Sequence, residues 1–177
     1  MNRDKAKTVI GEIIRHSAGD QLRGKTRLFK AFYFAHLFYA KSNSDMLTDW
    51  PIVRMPHGPG VDDFKSLINE LVSSGSVRLE PENEGPYLEY VFTFVKQGWQ
   101  SLTEEEAKAI KESVRYVDGK TASQLSDLTH EHSRSWNSAK DGDELSIYVD
   151  LLSDEEFTNE VSRSAEIDRM LQLAWNE

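Results

Sequence analysis

The stretch LTHEHSRSWNSAK, residues 128–140, gathers two of the chain's five histidines with a tryptophan, an arginine and a lysine. Histidine carries protons near neutral pH and is the commonest metal ligand, so this segment is the first place to look for chemistry. A zinc site at His130 and His132 needs at least one further ligand, from His36, His57 or a carboxylate. Residues two apart do not face each other on a helix, and TASQLSDLTH reads as helix up to the first of the pair. There is no HExxH, and the absence of cysteine excludes disulfides, zinc–thiolate sites, iron–sulfur clusters and thiol nucleophiles.

Two other chemistries fail on spacing. Ser126, Asp127 and His130 are close in sequence, but no GxSxG elbow surrounds the serine. His57-Gly58-Pro59-Gly60 lacks the GxxxxGK[ST] and GxGxxG patterns, Pro59 removes a backbone donor, and Asp62 and Asp63 would repel a phosphate. Architecture fits the opening stretch better. Leu125 and Leu128 point to a core, His130 bonds a last helical carbonyl or packs beside Trp136, and Ser135 caps a short turn presenting Trp136 and Lys140. Trp136 and Tyr33 are expected to be buried, linking this segment to the central helix.

The elements that must position these residues follow from pattern. Ala6, Val9, Ile10, Ile13 and Ile14 form one side of a helix over 4–16. A second helix begins near Leu22 and runs through GKTRLFKAFYFAHLFYAKS, apolar nearly all round and therefore central. Its first turns carry Arg23, Lys25, Arg27 and Lys30, where the helix dipole disfavours cations, which marks them as candidates for binding a partner. DWPIVRMPHGPG, residues 49–60, reads as a rigid connector or short extended piece. A helix over 61–73 precedes a β-hairpin, SVRLE and YLEYVFTFV around PENEGP, an order like the latter half of a winged helix. Thr103 with Glu106, Thr121 with Gln124 and Ser153 with Glu156 have capping-box spacing before three helices, the last running through Val161, Ile167, Met170, Leu171 and Trp175. A short helix is expected over 144–152. The fold class is mainly α: one compact multi-helix domain over 1–177 with a central apolar helix and a small β-hairpin.

Composition agrees with a folded soluble domain: 38% hydrophobic and 29% charged in 177 residues. The start has no continuous apolar region of the signal-peptide kind, and the longest apolar run, 31–40, is too short to span a bilayer. A cytoplasmic protein is expected. Net charge is −9 but uneven. Residues 1–40 hold eight basic residues against three acids, and residues 141–177 eleven acids against two arginines. The simplest expectation is that the two ends neutralise each other.

TRLFKAFYFAHLFYAK, WPIVRMPHGPGVDDF and SQLSDLTHEHSRSWNSAK, in this order, resemble the Panacea domain family, which includes SocA-like antitoxins and GepA-like phage-associated proteins. The resemblance spans about residues 22–140 and rests on Tyr33, His36, Trp50, His57, Gly58, Pro59, His130 and Trp136. It implies a mostly helical protein whose relatives neutralise toxins by direct contact, and in SocA-like members deliver a toxin to an AAA+ protease. No cofactor, metal or catalytic residue is implied. The acidic helical extension over 141–177, with Asp154, Glu155 and Glu156, lies outside the pattern and is expected to contribute to partner choice. The alternatives are a nucleic-acid-associated regulator using Arg23 to Lys30 and the hairpin, and an unrecognised hydrolase; direct nucleic-acid binding is disfavoured by the net charge, and homo-oligomerisation is left open.

Overall fold

A computed structural model describes residues 1–84 and 87–174. Helix α1 (Arg3–His16) is capped by Asn2, whose side chain accepts from the Lys5 N–H at 3.0 Å, and its five predicted apolar residues are fully buried. After a 3₁₀ turn (Ala18–Asp20) comes strand β1 (Gln21–Arg23), then α2 (Lys25–Asn43). The second helix therefore starts later than the sequence suggested. Leu22 is drawn into β1 opposite Phe92, and Gly24, at φ +83°, turns the chain into the helix.

Helix α2 is the centre of the molecule. It packs on α1, on α4 (Glu104–Val117), on α5 (Ala122–His132), on α7 (Ile147–Leu151) and on a short strand, Gly58–Val61. Leu28, Ala31, Phe32, Ala35 and His36 have no exposed surface, which is why the stretch is apolar on nearly every side. The expected connector is a hairpin, β2 (Ile52–Met55) paired antiparallel with β3 (Gly58–Val61). Val61 belongs to that hairpin, so α3 (Phe64–Ser73) begins three residues later than the pattern indicated.

Strands β4 (Val77–Glu84) and β5 (Tyr87–Phe94) form the predicted hairpin, and β1 adds to β5 to give the sheet order β1-β5-β4. The run α1-β1-α2-α3-β4-β5, with its first strand beside the last, has the connectivity of a winged helix, and β2–β3 is inserted before its third helix. The C-terminal part adds α4, α5, α6 (Arg134–Ser138), α7 and α8 (Asp154–Ala174). All three capping boxes form: Thr103 and Thr121 exchange bonds with Glu106 and Gln124, and Ser153 accepts from the Glu156 N–H while Glu156 accepts from the Ser153 N–H. Trp175, expected on the last helix, lies outside the described residues. Among the described residues no helix is long and apolar enough to cross a membrane.

Among the described residues no ion pair joins the two ends, contrary to the expectation that they neutralise each other. Arg3 and Lys7 pair with Glu70, and Lys5 pairs with Glu106, whereas Asp141 and Asp154 pair with Arg54 and Arg134.

The segment between β5 and α4 is fastened by Trp99. Its Nε1 donates to Glu12 at 2.7 Å, and its ring lies on Gly11 of α1, so that a Cβ there would come within 2.5 Å of the ring. Burial pushes the Glu12 carboxyl up, but hydrogen bonds from Arg15 and Trp99 hold it below its ordinary value. On a free helix Gly→Ala stabilises by about 1 kcal/mol. Here Gly11→Ala is expected to cost about 1–3 kcal/mol by displacing the indole, read as a lower urea midpoint with a red-shifted tryptophan emission.

Candidate functional site: the hairpin–helix junction

Five of the eight family-pattern residues, His57, Gly58, Pro59, His130 and Trp136, converge where β2–β3 meets the α5–α6 corner. Helix α5 ends at Ser133, which caps α6 by accepting from the Trp136 N–H at 3.2 Å; the cap is Ser133, not Ser135. Trp136 is half-buried. The His130 ring stacks on it with centroids 4.0 Å apart, and the Arg54 guanidinium lies over it at 4.2 Å. Its Nε1 donates to the Met55 carbonyl at 2.9 Å, while Arg54 Nε donates to the Trp136 carbonyl at 3.1 Å and the guanidinium pairs with Asp141. Burial lowers the His130 pKa, with Lys30, His57 and Arg54 nearby adding to the effect.

Beneath this stack lies Lys30, which is 1% exposed. Its Nζ donates to the His57 carbonyl at 2.6 Å and to the Pro59 carbonyl at 3.2 Å. Burial pulls its pKa down to about 7. Lys30 therefore leaves the set of candidate partner-binding cations, because both acceptors are internal. His57 contributes its carbonyl while its side chain sits exposed on the turn. Gly58 is required twice: its φ is +97°, and a Cβ would collide with Lys30 Nζ and Thr129 Oγ1.

A second cluster ties the corner to the central helix. Asp150 of α7 accepts from Tyr33 at 2.7 Å, Ser133 at 3.0 Å, the Ser135 hydroxyl at 2.7 Å and the Ser135 N–H at 2.8 Å. Tyr33 is buried as expected, and burial together with the Asp150 charge pushes its phenol pKa up. His36 is wholly buried, bonded through Nδ1 to the Phe32 carbonyl at 2.8 Å and through Nε2 to Thr48 at 3.0 Å; burial lowers its pKa to about 4. Trp50 donates to the Asp62 carbonyl at 2.9 Å beneath the Arg3 guanidinium.

The other charged candidates are spread over the molecule. Arg23 pairs with Glu82, Lys25 lies over Phe29, and Arg27 donates to the Lys120 carbonyl at 2.9 Å. Asp154 pairs with Arg134, Glu156 caps α8, and Glu155 is exposed. Ser126, Asp127 and His130 do not assemble: Asp127 is exposed and bonds Ser123, not His130. His132 is also exposed, and among the described residues no three His, Asp or Glu side chains are placed to share a metal. Sequence reasoning overlooked Arg54, Asp150 and the internal task of Lys30. The available signals were a cation flanked by Phe29 and Ala31 in a helix that is apolar nearly all round, and a lone acid in SIYVDLL.

Two outcomes follow from this geometry. Gly58→Ala should cost about 2–4 kcal/mol, from a strained φ plus collision with Lys30, measured by chemical unfolding. As pH falls below 6.5 the unfolded chain protonates His36 first, and the folded chain only near 4. Stability contributed by neutral His36 is thus lost between about pH 6.5 and 4, by roughly 3 kcal/mol at most. His36→Gln should flatten the unfolding midpoint across that window.

No curated protein and no solved structure matches the chain. A family model does: antitoxin SocA-like, Panacea domain, over residues 28–137, from α2 to Trp136 and its neighbour. That match covers more than half of the sequence and takes in Lys30, the β2–β3 hairpin, His130 and Trp136, and the chain belongs to the SocA-like Panacea domain family.

Proposed function

We propose that this protein is a non-enzymatic antitoxin, which neutralises a cognate toxin by direct protein contact and uses no cofactor. The carrying observation is where its family-pattern residues go. Tyr33, His36, Trp50, Gly58, Pro59, His130 and Trp136 are spent on internal stacks and hydrogen bonds that join the hairpin, the central helix and the α5–α6 corner. A family that holds its shared residues inside a scaffold leaves the exposed surface to differ between members, as suits binders of varied toxins. In this reading the exposed acids of α8, Glu155 and Glu166, favour a basic partner and hasten encounter. Lys25 remains a candidate contact. Action in the cytoplasm, and delivery of the toxin to an AAA+ protease as in SocA-like members, are part of the same proposal.

A nucleic-acid-associated regulator is the second reading, favoured by the winged-helix connectivity. Charge weighs against it. The third helix, the usual reading helix of this arrangement, opens with exposed Asp62 and Asp63, and the β4–β5 wing carries Glu80, Glu82 and Glu89 against Arg78. Such a surface repels a phosphate backbone. A shifted duplex in a low-salt gel assay would reverse this ranking.

The primary test is co-expression with the protein encoded beside it in its genome. Restored growth and co-purification are expected; their joint absence overturns the proposal. Glu155→Gln with Glu166→Gln should slow association and flatten its salt dependence while leaving the unfolding midpoint in place, since neither residue serves as a helix cap.

A further inference from the structure

Strand β1 covers only part of β5. Its register ends at Arg23 opposite Val91, the last bond runs from the Gly24 N–H to the Tyr90 carbonyl at 2.9 Å, and the chain then turns into α2. Strand β5 runs on to Tyr87. In an antiparallel ladder the N–H and C=O of one residue point to the same side, and successive residues alternate. The Leu88 groups therefore point to the side that β1 has left, while Glu89 pairs with Glu82 on β4. Between that edge and the start of α2 lies a cleft of 710 Å³ whose walls include Lys25, His57, Leu88 and Tyr90.

The side chains along this edge repeat a pattern that β1 already satisfies. Leu22 is buried opposite Phe92, and Arg23, on the other face, pairs with Glu82. Past the end of β1 the Phe92 face continues as Tyr90 and Leu88, 41% and 58% exposed, and the Arg23 face continues as Glu89. Edge strands are normally blunted by charge or proline. On β4 the outer edge has Glu80, Pro81 and Glu82, whereas the open edge of β5 has Leu88 and Tyr90.

We propose that the open edge of β5 at Leu88 receives an extended segment of a partner protein, laid antiparallel as a continuation of β1. Its apolar residues would cover Tyr90 and Leu88, and its alternate residues, lysine or arginine, would meet Glu89. This addition of a strand to an exposed edge names the surface and the partner chemistry, and rests on the protein-binding reading above.

The test uses the full chain and a labelled peptide of three valine–arginine repeats, with a valine–glutamate peptide as control. Fluorescence anisotropy should show saturable binding of the arginine peptide, and amide exchange should show protection at Leu88. Leu88→Pro removes the edge N–H but leaves the pairing with β4, and Glu89→Lys reverses the charge; each should weaken binding about tenfold. Leu88→Ser, which keeps the N–H and loses the apolar contact, supplies the same test where the proline variant fails to fold. Unchanged affinity in the folded variants, equal binding of the glutamate peptide, or no saturable binding overturns the proposal. So does Leu88 protection that rises with protein concentration alone, since a second copy would then fill the edge. Peptide binding without rescue in co-expression sinks the antitoxin reading and leaves the edge; rescue without peptide binding sinks the edge and leaves the antitoxin.

Discussion

A lysine ammonium closed away from water governs the layout of this protein. An amine so buried is expensive unless it is neutralised or given acceptors, and Lys30 has the carbonyls of His57 and Pro59. Meeting both brings the β2–β3 turn down onto α2, which only glycine at position 58 permits. The lowered turn brings Arg54 and Met55 to the height of Trp136, so that the indole finds a carbonyl for its N–H and a cation for its face. The α5–α6 corner is thereby fixed, and Asp150 collects its serines together with Tyr33. One polar group in an apolar helix thus sets the position of elements more than a hundred residues apart in sequence.

The winged-helix half differs in charge from a nucleic-acid reader. In a nucleic-acid reader the third helix and the wing present positive charge. Here Arg3 and Lys7 at the foot of α1 are taken up by Glu70 on α3, with Arg3 also pairing with Asp63 at 3.1 Å, and Asp62 stays exposed at its start. The inserted hairpin also changes the scaffold. Besides pairing with β3, strand β2 bonds residues 142–145, through Arg54 N–H to the Asp143 carbonyl at 2.8 Å and Leu145 N–H to the Ile52 carbonyl at 2.7 Å. The N-terminal and C-terminal parts thus meet at a sheet edge as well as in the core.

Local signals were readable from the chain. The capping boxes need only residues three apart, and the α1 stripe needs only the helical period, so both were legible. The resemblance singled out the residues that converge at the junction, but not what each does there. Strand β1 was missed because three residues carry no alternation of their own; Leu22 becomes a strand residue only because Phe92 lies seventy positions later. Lys30 looked like surface because a cation near a helix start usually is. Asp150 looked like one more member of an acidic tail, yet it is the acceptor for three side chains and a backbone N–H that sequence distance hides.

The centrality of α2 also has a consequence for synthesis. Its apolar faces are covered in part by α1, β1 and β3, but otherwise by α4, α5 and α7, the last of which begins at Ile147. Roughly a hundred residues must leave the ribosome after α2 is complete before that cover exists, about 5–20 s at ordinary elongation rates. Through that interval the nineteen-residue helix has only α1, β1 and β3 to pack against, and the sides that α4, α5 and α7 will cover stay open. Completion of the core therefore lags behind translation, and a chain ending before α7 lacks part of the cover of its central helix.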